Sequence, residues 1–356
     1  MSVRARYRFY QKIAEALFRG GQGKRIVSIL LLSMAGLILL WVAIVATGAQ
    51  PLGAVQALLK GSLGSPRAIS DTLRETTPLL IAGIAVYLAL RAGLFNIGVE
   101  GQFTVGACAA AVVALRFPGV VGLFLGCLSG ILAGALWAYP AGWIRAYRGG
   151  HEVITTIMLN NVAAFLTAAL VAGPIKDPTQ EGTTTANIAD GTKLSHLYNS
   201  GPWTINSGLL IGILGAIALG WWLRKTVSGY ELRAVGANPT AAATAGIDAK
   251  RVMLGAMVVS GAIGGLAGAI QVLAFQHRFY AGISSGYGFD ALGVALLAGP
   301  AAIGLLPGAF LFGLLAKGST QLQFMNIPKG ITGVVLGVLI IIAAAIRYRK
   351  AKAVES

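Results

Sequence analysis

The chain alternates long, nearly continuous apolar runs with short polar and glycine-rich stretches. A helical run of about 20 apolar residues crosses the roughly 30 Å hydrocarbon core of a bilayer. The pattern predicts spans over Val27–Ala46, Pro78–Leu90 with its flanks, Phe103–Leu115, Val120–Trp143, Val153–Ala172, Gly208–Leu223 and Val252–Phe275. A short glycine-flanked segment, Phe289–Leu297, follows as a further discontinuous helix, then Ala301–Leu315 and Ile331–Ile346. The expected fold class is all-α: a polytopic membrane protein of about ten transmembrane helices with discontinuous segments. Within Val120–Trp143, Gly122, Gly126, Gly130 and Gly134 recur on one face, a small-residue stripe for close helix packing. Gly261, Gly264, Gly265 and Gly268 serve the same purpose in Val252–Phe275.

The polar stretches divide the chain. Residues 1–25 form a basic arm, residues 26–347 the transmembrane domain, and residues 348–356 a tail. Basic residues concentrate in the arm, in Arg224–Arg251 and in the tail (Arg347, Arg349, Lys350, Lys352), which places these on the cytoplasmic side and both termini inside. Pro51–Thr77 and Gly173–Ser207 are then external. The arm precedes an apolar run too long for a signal peptide, so no cleavable signal is expected.

One stretch departs from the apolar pattern at membrane depth. In Arg91-Ala92-Gly93-Leu94-Phe95-Asn96-Ile97-Gly98-Val99-Glu100-Gly101-Gln102-Phe103, a carboxylate, two amides and three glycines crowd together. A carboxylate at the bilayer centre costs roughly 2.5–3.5 kcal/mol on insertion scales, so it faces protein or water. Gly93–Gln102 is therefore read as a break between two spans that lines an internal path. Asn96, Glu100 and Gln102 either line that path or brace the broken backbone. On the fifth span Glu152, Thr156 and Asn160 share a face. Asn160 is a candidate for the same path or for bonding to neighbouring helices, whereas Glu152 is expected to cap the inner end in water. Asp290 is expected to cap the short segment's N-terminus near the outer surface.

Composition sharpens this picture in three ways. With 56% hydrophobic and 11% charged residues, the chain is far from the roughly 25% charge of soluble domains. The net charge of +16 is accounted for by loop placement, so no nucleic acid is implied. Cys108 and Cys127 lie inside apolar runs and are expected to pack; no metal site or cofactor is expected on this chain. His151, His196 and His277 lie near span ends or in the external loop, where solvation is the expected state. No phosphate loop, zinc motif or catalytic constellation is present, so the chain is not expected to be an enzyme.

The inner loop has structure of its own. Asn238 suits an N-cap, Pro239 a first helical position and Gly246 a C-terminal stop, with Ala242 in the alanine-rich run between them. A helix this short is marginal in water unless it docks. It is either a docking element or a solvated turn.

Four sequences in order carry a resemblance. They are Gly93–Gln102; Glu152-Val153-Ile154-Thr155-Thr156-Ile157-Met158-Leu159-Asn160; Gly229-Tyr230-Glu231-Leu232-Arg233-Ala234-Val235-Gly236 with Asn238-Pro239 and Ala245-Gly246-Ile247; and Gly286-Tyr287-Gly288-Phe289-Asp290. Together they resemble bacterial ABC importer permeases of the branched-chain amino acid/ribose/nucleoside permease superfamily, specifically the nucleoside-type branch. The monosaccharide branch carries a Gly-x-Ile-Asp-Leu-Ser-type sequence near Asn96–Gly101, which this chain lacks. The resemblance implies a multi-pass permease of the bacterial inner membrane, importing nucleosides. It implies a second permease (a different chain), two cytoplasmic ATPase subunits holding ATP and Mg, and an external solute-binding protein or lipoprotein. It also makes Gly236, Asn238, Pro239, Ala242 and Gly246 the coupling region towards the ATPase, within residues 224–251. Arg67, Arg74, Lys176 and Arg278, basic residues on the outer side, are candidates for docking the binding protein. An ion-gradient-driven secondary transporter is the alternative from another class, since such folds also place broken helices at mid-membrane. Sugars or amino acids are the alternative substrates.

Overall fold

In the computed structural model, residues 50–325 are described continuously, with scattered positions in 34–48 and 327–337. The basic arm, most of the predicted first and last spans, and the tail with Arg347, Arg349, Lys350 and Lys352 lie outside the described residues. The chain divides into two units, Ser62–Lys317 and a second made of Met1–Gly61 with Gly318–Ser356. In the second unit, Ile44, Ala54, Leu322 and Ile327 form a small apolar core with Ala57 and Leu58.

The elements in order are α1 (Pro51–Leu63), α2 (Pro66–Arg91), α3 (Val99–Arg116), α4 (Gly119–Arg148) and α5 (Glu152–Ala172). A hairpin follows, β1 (His196–Ser200) and β2 (Trp203–Asn206), then α6 (Ser207–Lys225), α7 (Val227–Ala237), α8 (Pro239–Thr244) and α9 (Ala249–Ile270). After α9 come a π-helical turn at Gln271–Gln276, α10 (Tyr287–Ala298) and α11 (Leu305–Phe324). Seven helices among the described residues are long and apolar enough to cross a membrane, and α10 is a shorter apolar helix. The chain is an all-α polytopic membrane protein.

Local chemistry sets the ends. Ser65 caps α2 by accepting from the Ala68 amide (3.1 Å), with Pro66 in the first turn. Asn206, Thr226 and Asp248 cap α6, α7 and α9 in the same way. Gly149 closes α4 in the left-handed conformation (φ 68°).

Packing in Ser62–Lys317 depends on glycine. The α4 stripe Gly122, Gly126, Gly130 and Gly134 is buried, while Val120, Phe124, Leu128, Leu132 and Leu136 cover the opposite face and are exposed. A helix apolar on both faces suits lipid on one side and protein on the other. A methyl group at Gly265 of α9 would collide with Gly130 O, one at Gly134 with Gly261 O, and one at Gly268 with Phe103 O of α3. Helices α3, α4 and α9 therefore touch backbone to backbone, where small residues allow the closest approach in lipid.

Several boundaries differ from expectation. Helix α2 starts at Pro66, so residues 66–77, expected on the external side ahead of the span that begins at Pro78, are helical and continuous with it. They look loop-like because they are polar, but the hydroxyls of Thr76 and Thr77 bond carbonyls four residues back (2.7 and 2.9 Å). Asp71 pairs with Lys317 at 2.7 Å. Helix α3 starts at Val99 rather than Phe103, which shortens the break to residues 92–98. The long loop after α5 contains the β1–β2 hairpin, and Thr185, Ile188 and Leu194 donate to the carbonyls of Phe279, His277 and Leu273 (2.8–2.9 Å).

Candidate functional site

The first interruption is built around Asn96. Gly93 takes a left-handed turn (φ 73°) after α2, and Ala92, Gly93 and Leu94 amides close back onto Ala89 and Leu90 carbonyls. Asn96 is fully buried. Its Nδ2 donates to Gln102 Oε1 (3.0 Å) and Ser260 Oγ (2.8 Å), and its Oδ1 accepts from the Gly98 amide (3.0 Å) and Gln102 Nε2 (3.1 Å). Ser260 in turn donates to Ala85 O (2.7 Å), tying α9 to α2. From α5, Asn160 donates to Ile97 O (3.0 Å) and accepts from the Gly101 amide (2.9 Å). Asn160 thus satisfies two backbone groups that the break leaves without helical partners.

Glu152 does not sit in water as expected. It is 7% exposed, accepts from the Phe95 amide (3.3 Å) and pairs with Arg145 Nε (3.2 Å). Burial of this carboxylate is tolerated because it is both paired and hydrogen-bonded. The sequence expectation failed because Glu152 opens a helix beside a basic loop, where a water-facing cap is the ordinary outcome.

The second interruption runs from the π-helical turn to α10. Glu100, in the first turn of α3, accepts from the Gly288 amide at 2.8 Å. The Tyr287 hydroxyl donates to Glu75 of α2, and its ring lies 5.7 Å from that of Phe103. Asp290 is not the N-cap: Gly286 holds that position (φ 97°), and no side chain caps the helix. Glu75 and Ser260 escaped sequence reasoning, the first in a polar stretch expected outside the span and the second a lone serine in an apolar run; Tyr287 stood in a quoted motif without a role assigned to it.

At the Arg91 end, the α7–α8 region meets the first interruption. A methyl at Gly236 would collide with Arg91 O, and one at Gly93 would lie 3.1 Å from Gly236 O. The Arg91 guanidinium donates to Tyr87 Oη (3.2 Å) and to Pro300 O. Asn238 Oδ1 caps α8 by accepting from Thr240 and Ala241 amides (3.0 and 3.1 Å). Pro239 takes the first helical position, and Gly246 turns left-handed (φ 86°). Ala242 is buried, so the outward face of α8 is Thr240, Ala241, Ala243 and Thr244.

At the opposite end, Arg67 and Arg74 line a cavity of about 180 Å³ with Asp71, His196 and His277. Arg74 also donates to Phe275 O (3.1 Å) and lies 5.5 Å over the Phe275 ring. Arg278 is exposed and lines an adjoining cavity with Asp190, Lys193 and the shared His277, while Lys176 is exposed in the loop and lines neither. His277 is half-buried; burial first, then the positive charges of Lys193 and Arg74, holds its pKa below the ordinary imidazole value. The amine of Lys193 holds the Asp190 carboxyl below its usual range.

A family model described as "Branched-chain amino acid transport system / permease component" matches residues 68–344. A guanosine ABC transporter permease protein of Bacillus subtilis is 33% identical, covering 82% of this chain and 86% of its own length. A nucleoside ABC transporter permease protein of Lactococcus lactis is 33% identical, covering 90% of this chain and 92% of its own length. A glucose ABC transporter permease protein of Haloferax volcanii is 32% identical, covering 84% and 82%. No solved structure matches the chain. With the match running from the start of α2 past the end of α11, the chain belongs to the branched-chain amino acid transport system / permease component family and is a multi-pass protein of the cell membrane.

Proposed function

We propose that this chain is the translocating permease of an ATP-driven importer and that it carries nucleosides. The observation that carries this reading is the pair of 33%-identical relatives, one named for guanosine and one for nucleosides, each aligned over most of both chains. The architecture fits the role: a capped, outward-facing α8 lies at one end, joined through Gly236 to a broken helix inside the membrane. In this reading Arg224–Arg251 is cytoplasmic, and the outward face of α8 meets one of two ATPase subunits that hold ATP and Mg. Gly236, Asn238, Pro239 and Gly246 shape that contact, and Ala242 seats α8 on its own chain. A second, different permease completes the path. An external binding protein delivers the solute to the surface bearing Arg67, Arg74, Lys176 and Arg278. Asn96, Gln102 and Asn160 brace the path wall, while Glu100 stands between wall and path.

Sugar transport is the second reading, favoured by the 32% identity to a glucose permease. The deciding experiment measures binding of guanosine, adenosine, uridine, glucose and leucine to the cognate binding protein, then uptake of each by the reconstituted transporter. Nucleoside-dependent uptake supports the proposal; uptake of glucose alone replaces it with the sugar reading.

A further inference from the structure

We propose that the face where α10 begins, formed by Glu100, Asp290, Ser284 and Phe289, is a transit site. It takes the hydroxyls and base of a neutral nucleoside and disfavours the phosphorylated form. The proposal rests on the nucleoside reading above.

The site is built on α2, α3 and α10, of which α2 and α3 are long and apolar enough to cross a membrane. The Tyr287 hydroxyl reaches Glu75, nine residues along α2 from Pro66, which is about 13 Å at 1.5 Å per residue. A methyl at Gly288 would collide with the Glu100 backbone, so α10 starts directly on α3. The Gly288 amide donates to Glu100 Oε2 at 2.8 Å, and the amides of Gly286 and Phe289 face the same carboxyl group. The positive end of the α10 dipole is thus already answered by this chain's own carboxylate, so the site does not call for an anion. Asp290 lies within electrostatic reach of Glu100, and both are partly exposed. Carboxyl groups at this depth face protein or water rather than lipid. Ser284 is 2% exposed, and its Oγ is directed at the Glu100 carboxyl group outside hydrogen-bonding geometry. Phe289 precedes Asp290 in the first turn of α10 and is 49% exposed.

This set of groups matches a nucleoside. Carboxyl oxygens accept from sugar hydroxyls, the Ser284 hydroxyl both donates and accepts, and an exposed aromatic face stacks on a base. A phosphate brings about −1.5 to −2 charge towards two carboxyl groups and is repelled.

The test uses the complete transporter in proteoliposomes with its binding protein, comparing guanosine, 2′,3′-dideoxyguanosine and guanosine 5′-monophosphate. Phe289→Ala is expected to lower guanosine uptake by about fivefold or more, the loss of one stacking contact. Asp290→Asn is expected to lower the preference for guanosine over the dideoxy analogue by about threefold and to ease exclusion of the monophosphate. In a Cys108→Ser, Cys127→Ser background, Phe289→Cys should react with a charged thiol reagent, more slowly when guanosine is being transported. Labelling only by membrane-soluble reagents, or at a rate guanosine does not change, overturns the site, and this measurement decides if the other variants do not assemble. Guanosine uptake by the wild type with unaltered rates and preferences in both variants overturns the site alone. A wild-type transporter that moves no nucleoside overturns the substrate reading and this site with it.

Discussion

Helical geometry is interrupted on either side of α3's first turn, and the two interruptions are built differently. In residues 92–98 the side-chain groups supporting the backbone are paired: Asn96 makes four hydrogen bonds, Asn160 two and Glu152 an ion pair with an amide bond. In residues 277–286, by contrast, His277 and Ser285 hold left-handed φ values (55° and 48°), and His277 Nδ1 and Ser284 Oγ are buried without partners. A network with all its members satisfied rigidifies its surroundings, and an unsatisfied group costs free energy that a rearrangement can recover. The first interruption is a paired network joining α2, α5 and α9; the second leaves buried polar atoms outside any such network.

The strongest way to break this contrast is to delete one member from each side. Asn96→Ala leaves the Gly98 amide and the Gln102 side-chain amide short of partners in a buried place, at about 1–3 kcal/mol per group, while Ser260 keeps its bond to Ala85 O. The yield of assembled complex should fall severalfold and its thermal midpoint by about 5 °C or more. Ser284→Ala removes a hydroxyl that has no partner and should leave the midpoint within about 1 °C. Equal losses in both variants would erase the distinction.

A smaller effect is expected where α7 meets the first interruption. Gly236→Ala puts a methyl group against Arg91 O and pushes α7 off the end of α2, whereas Gly255→Ala meets nothing within 4 Å. Binding-protein-stimulated ATP hydrolysis and solute uptake should fall together by about tenfold in the first, as overpacking costs about 1–3 kcal/mol, and stay near wild type in the second. Wild-type coupling in Gly236→Ala would show that the contact does not transmit motion.

The contrast extends to α8, whose two faces differ. Ala241→Glu places charge on the outward face and is expected to weaken ATPase association by about fivefold, roughly 1 kcal/mol, with folding kept. Ala242→Glu buries the charge against the chain itself and is expected to reduce the yield of folded protein instead. Co-purification of the ATPase with each variant separates the two outcomes.

How far the sequence made this visible varies with how local the cause is. Long apolar runs and the glycine stripe of α4 are read from spacing alone: seven helices long and apolar enough to span stand among the described residues, and the stripe packs closely, with α9 as the partner that spacing did not name. The α8 caps are equally local: Asn238 and Gly246 act within their own turn. The boundary of α2 was not legible because Thr76 and Thr77 satisfy themselves on their own helix, which polarity does not reveal. Partners distant in the chain were the least visible. Glu152 meets Phe95 57 residues away and Glu100 meets Gly288 188 residues away, so one sequence gives the donors without the pairing.

The smallest effect expected is acid sensitivity of the second interruption. His277 follows the π-helical turn, and burial, then Lys193, Arg74 and His196, hold its pKa below the ordinary value of 6.5, against a weaker opposing influence of Asp190. The unfolded chain therefore binds a proton at higher pH than the folded chain. Stability from the neutral imidazole is present above pH 6.5 and is lost as pH falls through the lower folded value. Because the ring is only half-buried, solvent screening keeps the contribution below about 1 kcal/mol. His277→Asn is the informative variant: asparagine tolerates the left-handed backbone at this position (φ 55°) and does not titrate. The wild-type complex should lose slightly more thermal stability than His277→Asn between pH 7 and pH 5, with the two agreeing above pH 7 apart from a constant offset. Parallel pH profiles would mean that the ring is neutral or charged alike in both states, and that the second interruption carries no stored electrostatic cost at His277.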